Sequence, residues 1–424
     1  MSMCSVVVEV RLSSQSRAKK KEVRALATSI LSTRTVFRSG RDDALLTELA
    51  PRFEVDFVQI LLPMNEREVP YFRASLSVFV YRLSQTGPTD ERVTDEGDGS
   101  TTTLFSHRIL PAAEYEGVWE SLVLEEGIKE KLIAYADSGL LFADHDVDPR
   151  AVSCNRVILL HGPPGTGKTS LCQGLAQKIA IYNGSRYSRG AHVLEVNAHA
   201  LFSRWFSESG KLVSKMFEMV RELAAERNSL VFVLIDEVES LTTSRGRNSQ
   251  ADPSDAVRVV NSMLTQIDKL KDYPNVMLLA TSNVTEQIDA AFLDRADVRL
   301  FLGNPGLAAR RRVLASCMKA LMVAGIVQPN EDVDEDTSND VGGNKENADS
   351  VGYWLNRCAE ASQGMSGRAL RKLPLQAHAF YVREHCTRPE KMAKALYQCI
   401  TDVRVGDTQK AVNHDIDRTK MTMS

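Results

Sequence analysis

The octapeptide "GPPGTGKT", Gly162 to Thr169, constrains this chain more than any other stretch. It fits the pattern GxxxxGK[ST], follows the apolar run "VILLH" and opens the helical pattern "SLCQGLAQKIA". A strand, a glycine-rich loop and a helix in that order begin a parallel crossover unit. The glycines let backbone N–H groups wrap a phosphate, and the helix N-terminus adds partial positive charge. Gly162, Pro163, Pro164, Gly165, Thr166, Gly167, Lys168, Thr169 and Ser170 are therefore expected to cradle the phosphates of a nucleotide. In this pattern Lys168 reaches the β- and γ-phosphates, and the Thr169 hydroxyl is offered to Mg²⁺.

The sequence around the loop supplies the rest of such a sheet. "RVILLH" (Arg156–His161), "HVLEVNAH" (His192–His199), "LVFVLIDE" (Leu230–Glu237), "NVMLLATSN" (Asn275–Asn283) and "VRLFL" (Val298–Leu302) are short apolar runs. Amphipathic stretches such as "SGKLVSKMFEMVRELAAER" separate most of them. Continuous apolar strands with helical connections predict a parallel sheet covered on both faces, with ligands beyond the carboxyl ends of its strands. The fold class expected is α/β.

"VFVLIDEVESL" places Asp236 and Glu237 at one of those strand ends. Two adjacent carboxylates there would be costly without a cation, so Asp236 is expected to hold Mg²⁺ through water. Glu237 is placed to act as general base toward an attacking water. Asn283, closing "LLATSN", can position that water, although a strand-terminal Asn is also a common turn residue.

Upstream, "SVVVEVRL" and "ASLSVFVYRL" read as strands and "AKKKEVRALATSILS" as a helix between them, giving a small α+β domain. The cluster Arg17, Lys19, Lys20 and Lys21 lacks interleaved aromatics and reads as a solvated helix face. Two polar stretches punctuate the chain. "TGPTDERVTDEGDGS", Thr86 to Ser100, reads as a flexible domain linker. "QPNEDVDEDTSNDVGGNKENADS", Gln328 to Ser350, carries eight Asp/Glu against one Lys and reads as a surface insertion in a helical region. The expected division is 1–99, 100–304 and 305–424, with the acidic insertion at 328–350.

A net charge of −3 gives no bulk field favouring nucleic acid, and no segment is long and apolar enough to span a membrane. Neither partner is expected. The seven cysteines include no CxxC pair, which argues against a zinc site or a disulfide framework and fits an intracellular, reducing compartment.

In order and separation, "GPPGTGKT", "LIDEVESL" and "ATSN" resemble the AAA+ ATPases, over roughly Glu114 to His385. The resemblance implies ATP and Mg²⁺ as ligands, a small helical lid domain after the parallel sheet, and assembly as a homo-hexameric ring. "AAEYEGVWESLVLEEGIKEKLI" looks like the segment that walls the adenine. "SQGMSGRALRKLPLQAHAF" looks like sensor 2, with Arg368 contacting phosphate from a helix N-terminus. The family's trans-acting arginine finger falls in "IDAAFLDRADVRLFL", which lacks the Arg-Pro-Gly-Arg pattern of many relatives and leaves Arg295 as the first candidate and Arg299 as the second.

"RWFSES" follows the second strand, where AAA+ protein remodellers carry an aromatic pore loop. Trp205, Phe206 and Ser207 match it, the two aromatics being able to grip an extended polypeptide. "SLTTSRGRNSQADPSD", Ser240 to Asp255, would be a second pore loop or simply a solvated one. With the small N-terminal domain, "DRADVRLFLGNP" and "GMSGRALRKLPLQAHAFYV" resemble the pachytene-checkpoint branch of the family, also called thyroid receptor-interacting protein thirteen-like. That branch implies HORMA-domain proteins as substrates, converted from closed to open form, with a comet-type HORMA adaptor as a further partner. It also implies residence in the nucleus on meiotic chromosomes and in the cytoplasm, including kinetochores during division. The rival readings are a microtubule-severing AAA+ enzyme, which would usually bring a basic linker, and a nucleotide-gated HORMA-binding scaffold without turnover.

Overall fold

The computed structural model describes residues 3–63, 66–94, 101–145, 147–148, 150–196, 209–241, 253–284, 288–330 and 350–404. Trp205, Phe206 and Ser207 lie outside the described residues, as do most of the second loop and of the acidic insertion. Among the described residues the chain forms two compact units. The first is drawn from Met1–Leu122, Glu126–Gly162 and Lys168–Phe301, the second from Val123–Glu125, Pro163–Gly167 and Leu302–Ser424.

Within the first unit, β1 (Cys4–Leu12), β2 (Val36–Arg38), β3 (Gly40–Arg41), β4 (Val55–Leu61), β5 (Glu68–Pro70) and β6 (Ala74–Arg82) precede the phosphate loop. Four of them form a sheet of order β3-β4-β1-β6, with β1 parallel to β6 and antiparallel to β4. Alternation decides its faces. Val6, Val8 and Val10 of β1 are buried with Val23, Ala27 and Leu31 of helix Lys20–Leu31 and Leu45 and Leu49 of helix Asp43–Phe53. The small α+β core read from the sequence is present.

The same unit contains the large sheet, built from β7 (Thr89–Thr94), β8 (Thr101–Leu110), β9 (Val157–His161), β10 (Gly190–Val196), β11 (Ser229–Ile235), β12 (Val276–Ser282) and β13 (Val298–Phe301). Their order is β13-β9-β12-β11-β10-β8-β7. The first five are parallel neighbours, and every residue of β11 and β12 is buried, which is why both read as unbroken apolar runs.

The expected parallel sheet is present, extended at one edge by two antiparallel strands, β8 on β10 and β7 on β8. One expectation is corrected. Residues 89–94, expected in a flexible linker, are instead the edge strand β7. An edge strand needs backbone pairing on one side only, so a run poor in apolar residues serves; the domain boundary expected at 99/100 lies outside the described residues.

The second unit is helical. Leu307–Val323, Val351–Ala361, Gly367–Ala377 and a helix over residues 389–404 bury Leu314, Met318, Leu355, Leu370, Leu396 and Ile400 in one core.

Candidate nucleotide site

Strand β9 ends at His161, and the chain turns through Gly162, Gly165 and Gly167, all with positive φ, before helix Lys168–Tyr182 begins. Gly162 N donates to Ser282 O at 3.2 Å, tying the loop's entry to the end of β12. The Lys168 side chain is buried, and its Nζ donates to Gly162 O at 2.8 Å, so the ammonium lies along the loop it serves. His161 is held below the ordinary imidazole range by burial and then by the Lys168 cation.

Thr169 sits in the first turn of the helix, and its hydroxyl donates to Asp236 Oδ1 at 2.9 Å. A hydroxyl and a carboxylate converging at that distance are oxygen donors suited to a hard, water-retaining dication such as Mg²⁺. Thr169 and Asp236, expected as the metal-binding pair, are brought together.

Glu237 follows with φ +58, a left-handed geometry rare outside glycine and costing about 1 kcal/mol or more. Thr281 maintains it from the neighbouring strand: its hydroxyl donates to Asp236 Oδ1 and accepts from Glu237 N at 3.1 Å. Turning the backbone there leaves the Glu237 side chain exposed while Asp236 stays half-buried. Asn283 Nδ2 then donates to Glu237 Oε1 at 3.1 Å, and Asn283 N donates to Glu239 Oε1 at 2.9 Å. Expected base and water-positioner are therefore side by side. Sequence reasoning passed over Thr281, Glu239 and His161. Thr281 had a signal in "VMLLATS", a polar residue at a buried strand position.

In the second unit, Arg368 is the second residue of helix Gly367–Ala377, whose N-cap Ser366 accepts from Ala369 N at 3.2 Å. Its backbone N donates to Gly165 O at 3.1 Å, and its side chain is exposed. A Cβ on Gly165 would stand 2.9 Å from Ser366 Oγ and 3.1 Å from Arg368 Cβ, so only glycine fits this part of the cradle. Pro163 O accepts the Thr166 hydroxyl at 3.0 Å, closing the loop on itself.

The two finger candidates differ sharply. Arg295 is clamped within its own chain, Nε and Nη2 donating to both Asp268 oxygens at 3.0 and 2.7 Å and Nη1 to Ala291 O at 2.7 Å. Arg299 is exposed on β13. The segment between them is fixed by Asp297, which accepts from Tyr135 Oη at 2.6 Å and from Asn155 N at 2.9 Å.

The comparisons with known proteins agree with this geometry. The family described as "ATPase family associated with various cellular activities (AAA)" matches residues 158–304, and the "TRIP13-like, AAA+ ATPase lid C-terminal domain" matches 306–404. A pachytene checkpoint protein 2 homolog of Gallus gallus is 43% identical over 384 residues, spanning 89% of this chain and 88% of its own. One of Oryza sativa subsp. indica is 43% identical over 421 residues, spanning 93% and 86%. Among solved structures, C. elegans PCH-2 is similar with a TM-score of 0.75 and 29% identity, covering 96% of this chain and 100% of that one. A nucleotide cradle joined to a strand-end Asp-Glu pair, in a chain so matched, leads to one conclusion: this protein belongs to the pachytene checkpoint protein 2 family of AAA ATPases, with the TRIP13-like lid.

Proposed function

We propose that this ATPase uses hydrolysis to remodel HORMA-domain proteins, unfolding them locally through a homo-hexameric pore and converting closed to open form. The observation that carries the catalytic half is the hydrogen bond between Asn283 Nδ2 and Glu237 Oε1, beside the Thr169–Asp236 pair. Glu237 accepts the proton of a water that attacks the γ-phosphorus as the bond to ADP breaks, and Asn283 orients that water. Lys168 and Arg368 balance negative charge on the phosphates. Mg²⁺, held by Thr169 and through water by Asp236, would neutralise charge developing between the β- and γ-phosphates. Arg299 or Arg295 of a neighbouring subunit completes the site in trans.

Family membership supports the substrate reading, together with the adjacent aromatics Trp205 and Phe206, which with Ser207 would line the pore and grip an extended segment. A comet-type HORMA adaptor would dock on the N-terminal domain, and the setting would be the nucleus and dividing-cell kinetochores. The test is conversion of a purified closed HORMA protein to its open form, with adaptor and ATP, by wild type and Trp205→Ala. Conversion by wild type alone is expected. Equal conversion by Trp205→Ala would remove the pore-loop role, and ATP turnover with no conversion by either would overturn the substrate class.

A further inference from the structure

Glu9 is the one charged residue in the valine-rich core of β1, "SVVVEV", and it is 1% exposed. While Val8 and Val10 face the N-terminal core, Glu9 lies on the opposite face of the sheet, with Phe79 of β6 as its register partner. Lys178 meets it there, 3% exposed, its Nζ donating to both Glu9 oxygens at 2.7 and 2.8 Å and pairing with Glu120 at 2.7 Å. Tyr182 Oη also donates to Glu9 Oε1 at 3.1 Å, with its ring 4.7 Å from that of Phe79.

Lys178 and Tyr182 belong to the helix that begins with Lys168 and Thr169. Ten residues of helix, about 15 Å, separate the Glu9 contact from the phosphate-binding lysine. Between them the helix is gripped again: Gln177 Nε2 donates to Ala112 O at 2.9 Å while Ala112 N donates to Gln177 Oε1 at 2.8 Å. Gln173 Nε2 donates to Glu195 Oε1 at 2.8 Å. A buried ion pair adds little net stability over apolar packing, but removing one partner leaves a stranded charge. Here loss of Lys178 would strand the Glu9 carboxylate, whereas Lys178 without Glu9 keeps its pair with Glu120.

We propose that Glu9 is a positioning residue for ATP hydrolysis: docked on Lys178, the N-terminal sheet holds helix Lys168–Tyr182 in the register that sets Lys168 and Thr169 against the phosphates. The N-terminal domain is then part of the motor as well as a docking platform, and what binds it is felt at the nucleotide.

The test is steady-state hydrolysis by the full chain without protein substrate, so that it is independent of the HORMA reading, with rates normalised to bound nucleotide. Glu9→Gln and Lys178→Met should each lower kcat about tenfold with little change in KM, a small misplacement far from the chemistry being enough for such a loss. Glu9→Leu/Lys178→Met, which refills the dock with apolar side chains, should recover most of it. Unchanged kcat per bound nucleotide in the single variants would overturn the proposal, as would a loss matched by the fraction unfolded. Hydrogen exchange on the unaltered protein gives a check that no variant's folding can spoil. Protection of residues 4–12 should rise together with that of 168–182 when a non-hydrolysable ATP analogue replaces ADP. Protection at 4–12 that ignores the nucleotide would overturn it.

Discussion

Asn283 and Glu237 meet across two neighbouring strand ends, the amide of one donating to the carboxylate of the other at 3.1 Å. The amide that orients the carboxylate stands beside it, where it can also orient a water. The two side chains form one device.

Glu237→Gln should therefore bind ATP normally and lose turnover by about 10²- to 10⁴-fold, the usual contribution of a positioned base. Asn283→Ala should lose about 10²-fold, as when a single aligned donor is deleted. Because they act together, the double variant should fall little below Glu237→Gln alone. Steady-state hydrolysis, with nucleotide binding measured in parallel, checks all three; multiplied losses would mean that the residues work independently.

Gly165→Ala tests the cradle. The left-handed φ of +79° and the 2.9 Å approach of Ser366 Oγ both oppose a methyl group. Nucleotide affinity should drop by at least tenfold, and Ser366→Gly added to it should restore only part, since Arg368 Cβ at 3.1 Å and the backbone strain remain. Titration with a fluorescent ADP analogue reads the effect; wild-type affinity in Gly165→Ala would show that the loop opens freely there.

Arg295 and Arg299 should separate into a staple and a finger. Arg295→Ala breaks a bidentate clamp on Asp268 and should lower Tm. If Arg299 acts in trans as proposed, Arg299→Ala should leave Tm and nucleotide binding unchanged while abolishing most turnover. Doping either variant into Glu237→Gln subunits tells them apart: only the subunit that supplies the finger restores hydrolysis to its neighbour. Restoration that depends on Arg295 instead would reverse the assignment.

Asp268 also predicts an acid limb. Burial alone would raise its carboxyl, but hydrogen bonds from Arg295 and Lys271 outweigh that and hold it below the usual range. A depressed folded value gives stability that is complete above the unfolded carboxyl value, about 3.9, and is lost as pH falls through the lower folded value. Asp268→Asn should accordingly flatten the fall of Tm below about pH 4, where the depressed carboxyl takes up its proton. An unchanged acid limb would assign it to other carboxylates.

Local pattern made the parallel strands, the phosphate loop and the Asp236–Glu237 pair legible, because each is a short stretch whose chemistry and spacing coincide. Thr281 escaped because its task depends on which strand lies beside β11, and neighbour order is a tertiary property. Edge strand β7 escaped for a related reason: a run of Thr, Asp and Glu cannot be told from a linker until β8 supplies a partner for its backbone. The sequence ranked Arg295 ahead of Arg299, and only the position of Asp268, which clamps Arg295, turns the preference to Arg299. Glu9 reads as a lapse in an apolar strand until Lys178, far along the chain, is placed against it.

The hairpin of β7 and β8 bears on how this ATPase can be cut. A fragment begun at residue 100 would keep β8, ten residues rich in threonine, with one whole row of backbone N–H and C=O groups left open. Such an edge pairs readily with another copy of itself. An isolated motor domain should therefore start before Thr89, and preparations that start later should be stickier for reasons unrelated to nucleotide or substrate.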